Sequence, residues 1–186
     1  MLGAMHPQTL DVIDDLGSLF AAMGDHARSE ENYAQAAAGV AATLGIDHPK
    51  TLACRRRLAM MLIHHADQPD RAVTILRDVL ERQDRTLGPT SPDTQTTFES
   101  LASLLQDSGR QAESLELRRT WYGRGEDCAA ALRYNLACEE CMAGNLDTAQ
   151  RLISEEIQAR PERKALALED DTLAAIRDFV SGITVL

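Results

Sequence analysis

Three clusters in this sequence hold residue types capable of chemistry. Cys138-x-x-Cys141 sets two thiols three residues apart. On a helix that spacing puts both on one face, where two thiolates could hold a metal. A closed zinc site needs four ligands; Cys128 offers a third, and no second CxxC or HxxxH supplies a fourth. The plainer reading is that small cysteine side chains fill a helix interface. A thioredoxin-like role needs a βαβ setting that the pattern lacks. His64-His65 ends a helical stretch, and consecutive helical residues point about 100° apart, which makes a poor chelating pair. Arg55-Arg56-Arg57 is the sharpest charge feature. Either acids on neighbouring helices pair with it on a solvated face, or it docks a carboxylate or phosphate, which a guanidinium holds bidentately.

No other pattern points to catalysis. Gly123-Arg124-Gly125 lacks the preceding strand and the further glycines of a phosphate-binding loop. Glu139-Glu140, Glu155-Glu156 and Asp170-Asp171 are adjacent pairs, which diverge on a helix and read as solvated surface. There is no Ser/His/Asp order. The expectation is a protein that is not an enzyme and has no cofactor and no metal.

Composition narrows the class. Apolar residues make up 44% of the 186 positions and aromatics only 4%, with alanine and leucine abundant, which favours helices over strands. No apolar run approaches the roughly 20 residues that cross a bilayer, and the start lacks a secretory pattern. Four irregularly placed cysteines do not make a disulfide framework in a chain this long. A cytoplasmic home follows by default. A net charge of −10 disfavours nucleic acid and anionic membranes as partners. The charge is uneven: residues 1–48 carry −6, 49–88 carry +3, 89–125 carry −1 and 126–186 carry −6. A basic band lies between acidic ends.

The elements that must position these residues repeat along the chain. His6-Pro7-Gln8-Thr9-Leu10 recurs as His48-Pro49-Lys50-Thr51-Leu52, with a weaker echo at Ser91-Pro92-Asp93-Thr94. The prolines are 42 and 43 residues apart. A large-small pair recurs at Leu16-Gly17, Leu58-Ala59, Leu101-Ala102 and Leu136-Ala137, spaced 42, 43 and 35. Proline suits the first turn of a helix, and the small residue lets two helices approach closely. Gly24, Gly109 and Gly144 mark reversals, and Ala66-Asp67-Gln68-Pro69 does so in the second unit. Each unit reads as two antiparallel helices. The pattern predicts helices at 7–23, 26–44, 49–65, 69–87, 92–107, 110–122, 127–142, 146–159 and 171–181. It predicts burial of Leu16, Leu58, Leu101 and Leu136 at equivalent places.

These units resemble tetratricopeptide repeats. The first two and the start of the third are similar to the longer variant of kinesin light chains and bacterial signalling proteins, through His-Pro-x-Thr-Leu at 6–10 and 48–52 and Leu-Gly at 44–45 and 87–88. The asparagine usual before the Leu-Ala step survives only as Asn135; Asp15, Arg57 and Ser100 stand elsewhere. The fourth unit looks like the ordinary shorter repeat. In the third, Arg118 stands where an apolar residue is usual. The resemblance implies an all-α, right-handed superhelical solenoid of helix pairs filling one domain over 7–183. Its units are about 7–45, 48–88, 91–123 and 127–160, with a closing helix at 171–181.

For function the resemblance implies a scaffold that binds a partner peptide in a concave groove. The alternative is a regulatory or sensor repeat region from a larger bacterial signalling protein or enzyme. Projecting the helices puts Arg56, Arg57, Met60, His64, Ser100, Tyr134 and Asn135 on the groove side as partner-binding residues, with Asp11, Asp14, Asp15, Glu99, Ser103 and Cys138 beside them. The basic band points to a protein partner with an acidic or phosphorylated segment. The first helix carries Leu10, Val12, Ile13, Leu16, Leu19 and Phe20, more apolar surface than one neighbour covers. A homodimer through that helix, or an upstream segment, would cover it.

Overall fold

The structure is a computed structural model that describes residues 3, 5–64 and 68–184, excluding the side chains of 126–131. His65 and the Ala66-Asp67 part of the second turn lie outside the described residues, as does the Cys128 side chain. The chain divides into two compact units, Met1–Arg110 and Gln111–Leu186. The first holds α1 (Pro7–Ala22), α2 (His26–Leu44), α3 (Pro49–His64), α4 (Pro69–Leu87) and α5 (Pro92–Asp107). The second holds α6 (Gln111–Tyr122), α7 (Glu126–Met142), α8 (Leu146–Ala159), α9 (Arg163–Glu169), a 3-10 helix (Asp171–Ile176) and α10 (Arg177–Gly182). No strand occurs among the described residues. Within each unit, consecutive long helices pack on one another.

The repeated signature is a helix-start device. The His6 imidazole accepts at Nδ1 from the Gln8 N–H (3.2 Å), and His48 accepts in the same way from Lys50 (3.1 Å). Proline follows at the first helical position, where its missing N–H costs nothing. Thr9 and Thr51 then donate back to the carbonyls of Gly3 (3.0 Å) and Gly45 (2.7 Å), closing the preceding turn. Leu10 and Leu52 are buried behind them. The third copy is poorer: Ser91 makes no side-chain cap bond and the buried Thr94 hydroxyl has no partner.

The small residues do what their size allows. A Cβ built on Gly17 would lie 2.9 Å from the Tyr33 ring, and one on Gly39 would lie 2.3 Å from Leu10. Ala59, Ala102 and Ala137 are fully buried. The large residues beside them differ. Leu101 and Leu136 are buried as expected, Leu58 is half-buried, and Leu16 is 37% exposed, against expectation.

The closing segment also departs from expectation. The pattern predicts a single helix over 171–181, but a helix at Arg163–Glu169 precedes it, and the segment itself splits into the 3-10 helix and α10. Pro161 and the charged run around it mask the Ala-Leu-Ala-Leu helix former that follows. Ala167, Leu173, Ile176 and Val180 complete the core of the second unit with Leu136, Leu152, Ile153 and Ile157.

Candidate partner-binding groove

In the first unit, α3 and α5 flank an open cavity of about 690 Å³. α3 contributes Met60, Ile63 and His64; α5 contributes Gln95, Thr96, Glu99, Ser100, Ser103, Leu104 and Asp107. Both are the first helices of their pairs, so the 43-residue repeat sets equivalent faces side by side. Met60, His64 and Ser100 were expected on this side, with Glu99 and Ser103 beside them. Ile63, Gln95, Thr96, Leu104 and Asp107 were not singled out. Ile63 and Leu104 look like ordinary core residues in an apolar stripe, and the structure places both at the cavity.

The hydroxyls in this wall face it with acceptors. Thr96 donates to the Pro92 carbonyl and Ser100 to the Thr96 carbonyl, each at 2.8 Å, which uses up their hydrogens within α5. No side-chain hydrogen bond of Gln95 or Ser103 occurs among the described residues.

The arginine run is divided by its neighbours. Arg55 pairs with Asp78 on α4, in a network where Arg82 also holds Asp78 (2.9 Å) and Asp47 (2.7 Å). The hydrogen bond from Arg82 keeps the exposed Asp47 carboxyl below its usual range. Arg57 grips Asp14 of α1 with Nε at 3.0 Å and Nη2 at 2.8 Å, so it ties two helices together and is not a free anion anchor. Burial, with Asp14 beside it, pushes the neighbouring Cys54 thiol up. Lys50 pairs with Asp11 (2.5 Å), Arg71 with Glu30 (2.9 Å) and Arg85 with Asp47 (3.1 Å). The basic band seen in the sequence is therefore largely neutralised by acids of other elements. Arg56, half-buried, makes no ion pair with any described residue.

The two expected residues of the second unit have separate fates. The Tyr134 hydroxyl donates to Asp170 (2.9 Å), with Arg163 over its ring at 5.5 Å. Burial and that bond push its hydroxyl well above the usual tyrosine range. Asn135 stands exposed. Cys138 and Cys141 are buried, and burial raises both thiols, Cys138 to about 12. They fill the interface of α7 with the closing segment. Among the described residues no group of three or more histidine, cysteine or acidic side chains is placed to hold a metal. No described helix is long and apolar enough to cross a membrane.

Residues 8–83, from α1 nearly to the end of α4, match the model of the tetratricopeptide repeat family. No curated protein matches the chain significantly in sequence. Among solved structures, the nearly identical TPR-like repeats of a Podosopora anserina putative kinesin light chain are 25% identical, with a TM-score of 0.64 over 95% of this chain and 89% of that one. A singly substituted form of that protein gives 23% identity and a TM-score of 0.65 over 97% and 90%. BtubC (BKLC) from P. vanneervenii shares the fold at 18% identity, with a TM-score of 0.57 over 84% of this chain and 65% of that one. Signature, helix pairing, the match of residues 8–83 to the tetratricopeptide repeat model and the structural likeness agree: the chain is similar to tetratricopeptide repeat proteins with repeats of the kinesin-light-chain-like kind.

Proposed function

We propose that this chain binds an extended segment of a partner protein in the groove between α3 and α5. Tetratricopeptide repeats generally serve as protein–protein interaction modules. The observation that carries the finer reading is the open cavity itself, walled by two first helices and lined by Met60, His64 and Ser100. Packed helices hold such a surface without rearranging, so little ordering cost falls on binding. The test is a photo-cross-linking residue placed at Ser103. A discrete partner peptide should be captured, and the capture should fail when Met60 is changed to Glu with helicity and melting temperature unchanged. Equal capture by that variant would place the site elsewhere.

An acidic partner segment is a second reading, and Arg56 favours it as a cation left unpaired among the described residues. Arg57 and Tyr134 contribute to it indirectly, by holding α1 against α3 and the closing segment against α7. Asn135 offers a separate exposed amide on α7. A regulatory or sensor role within a larger bacterial protein would use the same groove and differ only in what is attached.

A homodimer through α1 is a further part of this proposal. Val12, Leu16, Leu19 and Met23 are all exposed, at 57, 37, 53 and 67%, and their 4-3-4 spacing makes one stripe along the helix. That is the seam spacing of paired helices. Sedimentation should show dimers that Leu19→Lys converts to monomers; a wild-type chain that stays monomeric at high concentration would remove this part.

A further inference from the structure

We infer that the α1 stripe packs in parallel against α1 of a second copy, with Asp15 of each chain paired to the partner's Arg28. This rests on the dimer reading given above, and it adds the direction of the pairing and the residues that select it. Val12, Leu16, Leu19 and Met23 alternate between the two seam positions of a heptad. That assignment puts Asp15 on one flank of the stripe and Phe20 on the other. Arg28 of α2 lays its guanidinium over the Phe20 ring, 4.7 Å from the centroid, so the positive charge belongs to the Phe20 flank.

Both charges remain available. Of the acids on α1, Asp11 is held by Lys50 (2.5 Å) and Asp14 by Arg57 (2.8 Å). Asp15 is exposed and makes no ion pair with any described residue. Arg28 gives its Nε to Asp25 (2.6 Å), and neither of its Nη groups bonds to a described residue. Direction follows from which flanks meet. A two-fold axis along parallel helices sets opposite flanks together, and a residue on one flank faces the residue five further along on the partner's other flank. Asp15 and Phe20 are five apart, so each Asp15 comes beside the partner's Phe20 and the guanidinium over it. An antiparallel pair sets like flanks together, which leaves the acid of one copy and the base of the other on opposite sides of the seam. The apolar stripe supplies the contact, and the charges decide its direction.

Sedimentation and a disulfide cross-link on the full chain test this. Met23→Cys is made together with Cys128→Ser, since the other three thiols are buried. In the parallel pair the two new thiols face each other, and mild oxidation should link the dimer. In an antiparallel pair position 23 faces the partner's position 12, which holds the thiols about 16 Å apart along the axis. Asp15→Lys replaces two exposed pairs with two like-charge contacts and should raise the dimer dissociation constant about tenfold, with helicity unchanged. A dimer that does not cross-link, or that Asp15→Lys leaves unchanged, would overturn the parallel pairing, and the α1 dimer would stand if Leu19→Lys still breaks it. A dimer insensitive to Leu19→Lys, or a wild-type chain that stays monomeric at high concentration, would overturn both readings.

Discussion

The two units handle charge in opposite ways. In the first, ion pairs such as Arg57–Asp14, Arg82–Asp47 and Lys50–Asp11 run between helices at the surface, and every cation in them keeps partial contact with water. In the second, Arg118 and Glu139 pair with side chains only 4 and 9% exposed, and Glu140 and Glu156 sit at 2 and 1% against Arg119 and Arg160. Half-exposed pairs fix the angle between helices at modest energy and leave an open groove beside them. Buried pairs are costly to desolvate and are tolerated only when both partners are present. The second unit thus adds enclosed pairs to surface ones such as Arg151–Glu155 and Arg177–Asp171.

The largest expected effect breaks the second kind of pair. Glu139→Ala removes one carboxylate from a buried pair and should destabilise the second unit by about 3 kcal/mol, read from denaturant unfolding. Asp47→Ala, which removes an exposed acid shared by Arg82 and Arg85, should cost far less. Similar losses at the two sites would erase the contrast. Core truncation sharpens it next. Leu101→Ala should cost about 2–5 kcal/mol, and Leu16→Ala, at the exposed equivalent position, about 0.5 kcal/mol. A large loss at Leu16 in a monomeric sample would mean that α1 is covered.

Smaller effects divide the arginine run. Arg57→Glu sets a second acid against the nearly buried Asp14 and should cost about 1–3 kcal/mol by thermal melting, whereas Arg56→Glu should change stability by about 0.5 kcal/mol or less. Equal losses would show that Arg56 is also structural. The gentlest test is acid titration. The hydrogen bond from Arg119 holds the Glu140 carboxyl below the ordinary 4.5. A depressed carboxylate contributes stability that is present above 4.5 and is lost as pH falls through the lower, folded-state value. Glu140→Gln should flatten that acid limb of the stability curve. An unchanged limb would assign the acid sensitivity to other carboxylates.

Much of the fold was legible because its signals are local. The boundaries of α2, α4, α5 and α8 fall at the predicted residues: proline starts α4 and α5, the Gly24-Asp25 and Gly144-Asn145 turns precede α2 and α8, and a glycine lies just beyond α2, α4 and α5. Arg163–Glu169 was missed because Pro161 and a cluster of charges read as loop, although the run that follows is a good helix former. Half of the groove was legible for a related reason: helical periodicity assigns Met60, His64 and Ser100 to one face. Ile63, Leu104 and Asp107 were not, since an apolar stripe does not say which of its edges faces a neighbour and which faces a cavity.

The sequence by itself determined the repeat, the helix pairs and the device that starts each one, because capping, proline geometry and turn glycines act within a few residues. It also determined that positive charge gathers at 49–88. Only the tertiary structure decided what that charge does. Acids far away in sequence, Asp14 for Arg57 and Asp78 for Arg55, come within hydrogen-bond reach when the helices pack, and they turn a basic band into a set of ties. A charge count along the chain sums neighbours in sequence, whereas Coulomb attraction acts between neighbours in space.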